Sequence, residues 1–371
     1  MNESKATRYQ RFQRRARIAG VVSGGVMLAL VALTPLSSVV ARWADGAGRG
    51  LPAWPHAAAA LLLYVIVLVV VWELALLPAA LYLGLAVDSR YGRGRPSVDD
   101  VLASQAQATL VALPAAIVAG GVIQLSMVTA GSGWWLVAGL SLAVCLVAAL
   151  HGAPVLVARL AGARPLAGTP LAARLGDLAG RARVPIGGVD ELRVHDTRTI
   201  ALVAGARRSR RIFLSADLVR DWSDDEIAVV VAHELAHHAH HDLWRTLALD
   251  ASLLSLGLLV ADRVVAGGQW GSGALTDLSA LPVVALVAGA VWLVATPLRH
   301  ALSRRQERKA DEFALALTGG ADAFSAAIRR LGAQHLAEER PSAMTQWLYH
   351  RHPTVAERLA SASAFADARR R

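Results

Sequence analysis

Two histidines and a glutamate in His233-Glu234-Leu235-Ala236-His237 have the types and spacing for metal-assisted hydrolysis. On a helix, residues four apart share a face, so both imidazoles can ligate one Zn²⁺. Glu234, between them, can then act as general base toward a water at the metal. The flanking residues support that helix. Ser223-Asp224-Asp225-Glu226 reads as a capping box, and the apolar run Ile227-Ala228-Val229-Val230-Val231-Ala232 follows it. A catalytic zinc needs a third protein ligand and an open position. Downstream, Glu307 and Asp311 are four apart and would share a helix face. Glu307 is the expected third ligand, and Asp311 the expected partner of a ligand imidazole, fixing its tautomer. A solvated, salt-bridged helix is the alternative reading of this Arg-rich segment. The longer pattern that takes a Gly and a third His after the second is excluded, because His240 and Leu243 hold those positions.

The rest of the chain must hold these residues, and its composition shows how. Hydrophobic residues make up 55% of the 371 residues, and the mean hydropathy is +0.43. Six stretches are long enough to cross a bilayer, at about 18–40, 57–87, 107–130, 133–158, 245–267 and 280–300. Pro78 lies in the second, which is long enough to kink, tilt or run on past the boundary. The net charge of +10 comes almost wholly from arginine, Lys5 and Lys309 being the only lysines. Basic residues gather before the first span, between the second and third, after the fourth and in the tail. On the other side, 43–56 holds only Arg49, and 131–132 and 268–279 hold no Lys or Arg. The positive-inside rule then predicts both termini in the cytosol, and it explains the charge without a nucleic-acid partner. Residues 1–41 have the layout of a signal peptide; five further spans make them a retained anchor. The single cysteine, Cys145, lies in a span, so neither an intramolecular disulfide nor a Cys ligand is expected.

These readings give two parts, a four-span membrane domain at 1–158 and a polar part at 159–371 interrupted by a transmembrane hairpin at about 245–300. A hairpin returns the chain to the face it left. His233 and His237 precede it and Glu307 and Asp311 follow it, so both half-sites are expected at one membrane surface. Strands are predicted at 191–195, 200–203 and 211–215. The turn-like 205–209 would make the last two a hairpin. An exposed edge there could hold an extended peptide by strand addition. His238, His240 and His241 are weighed as extra ligands and read as solvated or interfacial. Glu73, Asp250 and Asp262 fall in predicted spans and suit the wall of a protein- or water-lined interior.

Taken together, the chain resembles the integral-membrane zinc metallopeptidases of the HtpX and type I CAAX prenyl endopeptidase family, and more closely the CAAX-endopeptidase branch. The carriers are Tyr82-Leu83-Gly84 with Asp88-Ser89-Arg90-Tyr91-Gly92, Arg211-Ile212-Phe213-Leu214, His233 to His238, Glu307 to Ala314, and His352 to Leu359. The resemblance implies His233, His237 and Glu307 as zinc ligands and Glu234 as catalytic acid/base. It implies His352 near the scissile carbonyl and Arg358 supporting the substrate. It also implies Ala201 on the strand lining the substrate cleft, although Ile200 stands where the family has Asn. The expected fold is mainly α: a multi-pass helical membrane protein with a gluzincin-like cytosolic catalytic domain, built on the His-Glu-x-x-His helix and a small β-sheet. The expected cofactor is Zn²⁺, and the expected partners are a peptide or membrane-protein substrate and the lipid bilayer. The expected activity is endopeptidase cleavage at the cytosolic face, in quality control or processing of membrane proteins. The Arg-dominated, Ala/Val-rich composition points to a bacterial source, and the expected location is the cell membrane, with the N-terminus and catalytic domain cytosolic. The alternatives are a membrane scaffold or receptor with a structural zinc, and prenyl-protein processing.

Overall fold

The computed structural model describes residues 4–92, 94–160, 162–192, 201–205, 209–267, 277–338 and 340–371. In chain order they form α1 (Lys5–Leu33), α2 (Leu36–Ala47), α3 (Ala53–Leu81), a π-helical stretch Tyr82–Asp88, α4 (Ser89–Tyr91), α5 (Val98–Thr129) and α6 (Trp134–Leu160). Next come β1 (Arg164–Pro165), α7 (Pro170–Arg181), β2 (Val189–Leu192), β3 (Ala201–Ala204), β4 (Arg211–Ser215) and α8 (Ala216–Asp221). The remainder is α9 (Asp224–Ala239), α10 (Asp242–Gly267), α11 (Leu281–Val294), α12 (Thr296–Thr318), α13 (Ala321–Gln334), α14 (Ala343–Tyr349) and α15 (Val355–Arg370). They fall into two compact units. One draws on Arg8–Ala143 and Asp250–Ala295, the other on Val144–Leu249 and Thr296–Arg371.

The first unit is helical and apolar on its outside. Lys5–Leu33, Ala53–Tyr91, Val98–Thr129 and Gly131–Gly152 are each long and apolar enough to cross a membrane. They coincide with four of the six expected spans. The expected span at 280–300 instead divides between α11 and α12, a pair that meets the criterion together but bends by 49°, making five at most. The expected span at 245–267 is helical within α10, yet is not among these candidates. The first span ends earlier than expected, at Leu33, because Pro35 cannot donate to a continuing helix. The left-handed Gly92 stops α4. Val26, Leu110, Leu125 and Leu140 stand exposed, which water would penalise and a bilayer accepts. The polar groups expected inside are partnered. The Trp134 Nε1–H donates to Asp262 at 2.7 Å, both side chains buried, and the Gln105 amide donates to Glu73.

The second unit has a conventional packed core. Its sheet runs β1-β2-β4-β3. β2 and β4 are parallel; β4 and β3 form the expected antiparallel hairpin, with Ala201 opposite Leu214 and Ala204 opposite Arg211. Gly205 makes the turn possible: its φ is +104°, and a Cβ there would lie 2.6 Å from the Ser209 carbonyl oxygen. β3 is left at the edge of the sheet. Ile212 and Leu214 of β4 pack with Ile227, Val231 and Leu235 of α9, and with Phe324 and Ile328 of α13. The α9 N-terminus is closed as expected, Ser223 bonding the Glu226 amide and Glu226 the Ser223 amide. Such a box stabilises a helix by about 1 kcal/mol. The core therefore grips α9 along its apolar face and turns its polar face toward α12.

Candidate metal centre

His233 and His237 project from α9 one turn apart, their rings 5.1 Å between centroids and nearly perpendicular. Glu307 reaches them from α12. One carboxylate oxygen is 3.2 Å from Nε2 of His233 and the other 3.6 Å from Nε2 of His237. One potential ligand atom from each of the three lies within 4.8 Å of the others. Both Nδ1 atoms face carboxylates: His233 meets Asp311 at 2.9 Å and His237 meets Asp242 at 3.1 Å. With Nδ1–H donated outward, each Nε2 keeps its lone pair for the centre, the usual arrangement around a ligating imidazole. The Glu307 oxygen nearest His233 is buried and also lies 2.7 Å from Nδ1 of His352. Two imidazole nitrogens and a carboxylate oxygen form a catalytic zinc donor set, so the residues fit the metal that the motif implies.

Each supporting carboxylate has its own brace. Arg358 grips Asp311 with two bonds, Nε at 2.8 Å and a terminal nitrogen at 2.6 Å. The Arg358 side chain, expected at the substrate, is directed here to the carboxylate behind His233, and its guanidinium also lies over the Phe324 ring. His352 precedes α15 and places Nδ1 2.7 Å from Glu307, with most of its side chain exposed. Ala201 opens the edge strand and packs half-buried against the core; Ile200 lies outside the described residues.

Asp242 belongs to no motif that marks it in the sequence. It starts α10, five residues after His237. The left-handed His241 (φ 58°) turns the chain between the two helices, a conformation costing on the order of 1 kcal/mol for a non-glycine residue. The available signal was an acidic residue directly after the histidine run. Gln306 is likewise unmarked in the sequence; its amide reaches the Asp242 backbone carbonyl at 3.4 Å.

The neighbouring histidines are engaged elsewhere. His238 lies 3.0 Å from the Val203 carbonyl through Nε2 and accepts from Arg210 through Nδ1. His240 packs edge-on against Phe313, and His241 turns to the His238 carbonyl. Among the described residues, no further His, Cys, Asp or Glu joins the three-residue group.

The electrostatics suit proton transfer. Burial pushes the Glu234 carboxyl above the usual carboxylate range. Burial opposes charge on His233, but its bonds to Asp311 and Glu307 outweigh it and push its pKa up to about 9. Glu234 lines a cleft of about 340 Å³ with His237, Val203, Ala204, Thr246 and Gln306.

These features define a helical membrane protein with a metallopeptidase-type centre, and comparison with known proteins agrees. The model of Peptidase family M48 matches residues 171–366, and the chain belongs to that family. It is 26% identical over 203 residues to the uncharacterized metalloprotease YhfN of Bacillus subtilis, covering 53% of this chain and 48% of that protein. It is 31% identical over 195 residues to protease HtpX of Xylella fastidiosa strain M12, covering 47% of this chain and 66% of that one. The match thus spans about half of YhfN and two thirds of HtpX. The fold is shared with the crystal structure of S. mikatae Ste24p at a TM-score of 0.76 and 18% identity, over 96% of this chain and 88% of that one.

Proposed function

We propose that the chain is a membrane-embedded, zinc-dependent endopeptidase acting at the cytosolic face. One observation carries the reading: a two-histidine, one-carboxylate set with no fourth protein ligand among the described residues, beside a half-buried glutamate in a cleft. A structural zinc site is normally closed by four protein ligands, so the scaffold alternative is disfavoured. Zinc held by His233, His237 and Glu307 would supply Lewis acidity, activating water and polarising a peptide carbonyl. Glu234 takes the proton of the attacking water and passes it to the leaving amine, a role its raised pKa suits. His352, next to Glu307, is placed to donate toward the developing oxyanion. The open edge of β3, beginning at Ala201, offers backbone groups to an extended peptide. Arg358 acts through Asp311 and holds His233 in place. The clustering of arginines before and between the spans supports the cytosolic orientation. The membrane setting supports turnover of misassembled membrane proteins as the role.

Detergent-purified protein should cleave casein and an unfolded membrane protein, lose the activity to a chelator and regain it with zinc. Stoichiometric zinc with no cleavage of either substrate would favour the scaffold reading instead.

A further inference from the structure

Glu73 is a carboxylate within a span, and the metal centre does not use it. It lines a groove of about 480 Å³ between α3 and α5, a volume in the range of small-molecule sites. The groove lies wholly in the helical unit. Its walls are apolar, with Leu74 and Leu77 on α3 facing Leu110 and Leu113 on α5. Leu74 and Leu110 form an exposed rim.

Three polar side chains share this apolar setting: Glu73, Gln105 and Thr109. Gln105 donates one amide N–H to Glu73. Thr109 donates its hydroxyl hydrogen to the Gln105 backbone carbonyl at 2.9 Å, so its oxygen is left only to accept. A carboxylate offers about four acceptor positions, and one amide N–H fills one of them. No Lys, Arg or His among the described residues pairs with Glu73. A carboxylate in apolar surroundings is costly without a countercharge. The groove thus lacks a cation and has acceptors to spare, which matches a primary ammonium, a compact charge with three donors.

Depth selects the source of that ammonium. α5 starts at Val98 behind the Ser97–Asp100 capping box, and its acidic first turn, Asp99 and Asp100, belongs in water. Gln105 lies two turns further in, about 10 Å along the helix axis. One leaflet's head-group layer is roughly 5–8 Å thick. Glu73 and Gln105 therefore lie near the level where head groups meet acyl chains. From Gln105 the groove runs on to Pro114, about 14 Å deeper along α5, which gives an acyl chain a wall to lie against.

We propose that this groove binds one membrane lipid whose head group carries a primary amine, with the ammonium on Glu73 and an acyl chain between α3 and α5. The test is native mass spectrometry of the full-length protein in detergent, titrated separately with phosphatidylethanolamine, phosphatidylcholine and phosphatidylglycerol of identical acyl chains. The first carries a primary ammonium, the second a cation without an N–H, and the third no amine. Phosphatidylethanolamine is expected to bind about tenfold or more tighter than either of the others. Glu73→Gln should bring the three lipids to a common affinity. Leu110→Trp, which fills the groove from its rim and leaves Glu73 and Gln105 in place, should also remove the preference. Equal binding of the three lipids to wild type overturns the site, and so does a preference that survives either substitution. A dimer populated whatever the lipid, and lost in Leu110→Trp, would put a second copy of the chain in the groove and overturn it too.

Discussion

The inner and outer walls of the metal centre are built from the same chemistry in different surroundings. On the inner wall, His233 is buried and leans on Asp311, whose oxygens are taken by Arg358, itself only 15% exposed. On the outer wall, His237 borders the cleft and leans on Asp242, whose arginine partner, Arg245, stands 3.4 Å away and is 55% exposed. A buried pair that loses one member leaves an uncompensated charge, whereas an exposed cation is solvated whether or not its partner is there. The difference teaches that the inner wall ties metal binding to folding, while the outer wall tunes the metal with little hold on the fold.

The largest expected effect comes from breaking the inner wall. Asp311→Ala should lower stability by about 3–5 kcal/mol and empty the zinc site, read by chemical denaturation in detergent and by metal content. Removing Arg358 as well should cost less than the two single changes added together, since the stranded charge goes too. Breaking the outer wall is milder. Asp242→Asn should weaken zinc about 10–100-fold while moving stability by less than about 1 kcal/mol. Equal destabilisation by the Asp242 and Asp311 changes would erase the distinction between the walls. Comparable in its effect on zinc, and without any change to the fold, is a pH effect specific to the inner histidine. Below about 9, His233 of the metal-free protein carries a proton that must leave before Nε2 can bind metal. Apparent zinc affinity should therefore fall about tenfold per pH unit below 9 and level off above it, as a metal titration from pH 7 to 10 would show.

Much of this centre was readable in the sequence because its determinants are local. The Ser223–Glu226 box, the apolar run behind it and the four-residue spacing of His233 and His237 all act within one helix. Glu307 and Asp311 were legible for the same reason, as a helix face. Asp242 was not, because its role depends on a left-handed turn at His241, a conformation histidine adopts more often than most residues but still too rarely to be placed from a run of histidines. Arg358 was expected at the substrate, and its bond to Asp311 depends on how α15 meets α12, a tertiary contact beyond local pattern. The spans show the same limit. Long apolar runs found α3 and α5, but hydropathy alone did not find the break at Pro35 or the bend between α11 and α12. Nor did it separate the α10 segment, with Asp250, Asp262 and Arg263, from the clearer membrane candidates.

The central claim is that Glu234 moves protons for a hydrolysis whose metal is held entirely by other residues. The most direct measurement sets Glu234→Gln beside wild type, with zinc content and casein cleavage read on the same samples. Full zinc occupancy in both, with turnover in the variant reduced roughly 10²–10⁴-fold, is the predicted result. Undiminished cleavage by a zinc-loaded Glu234→Gln protein would contradict the account.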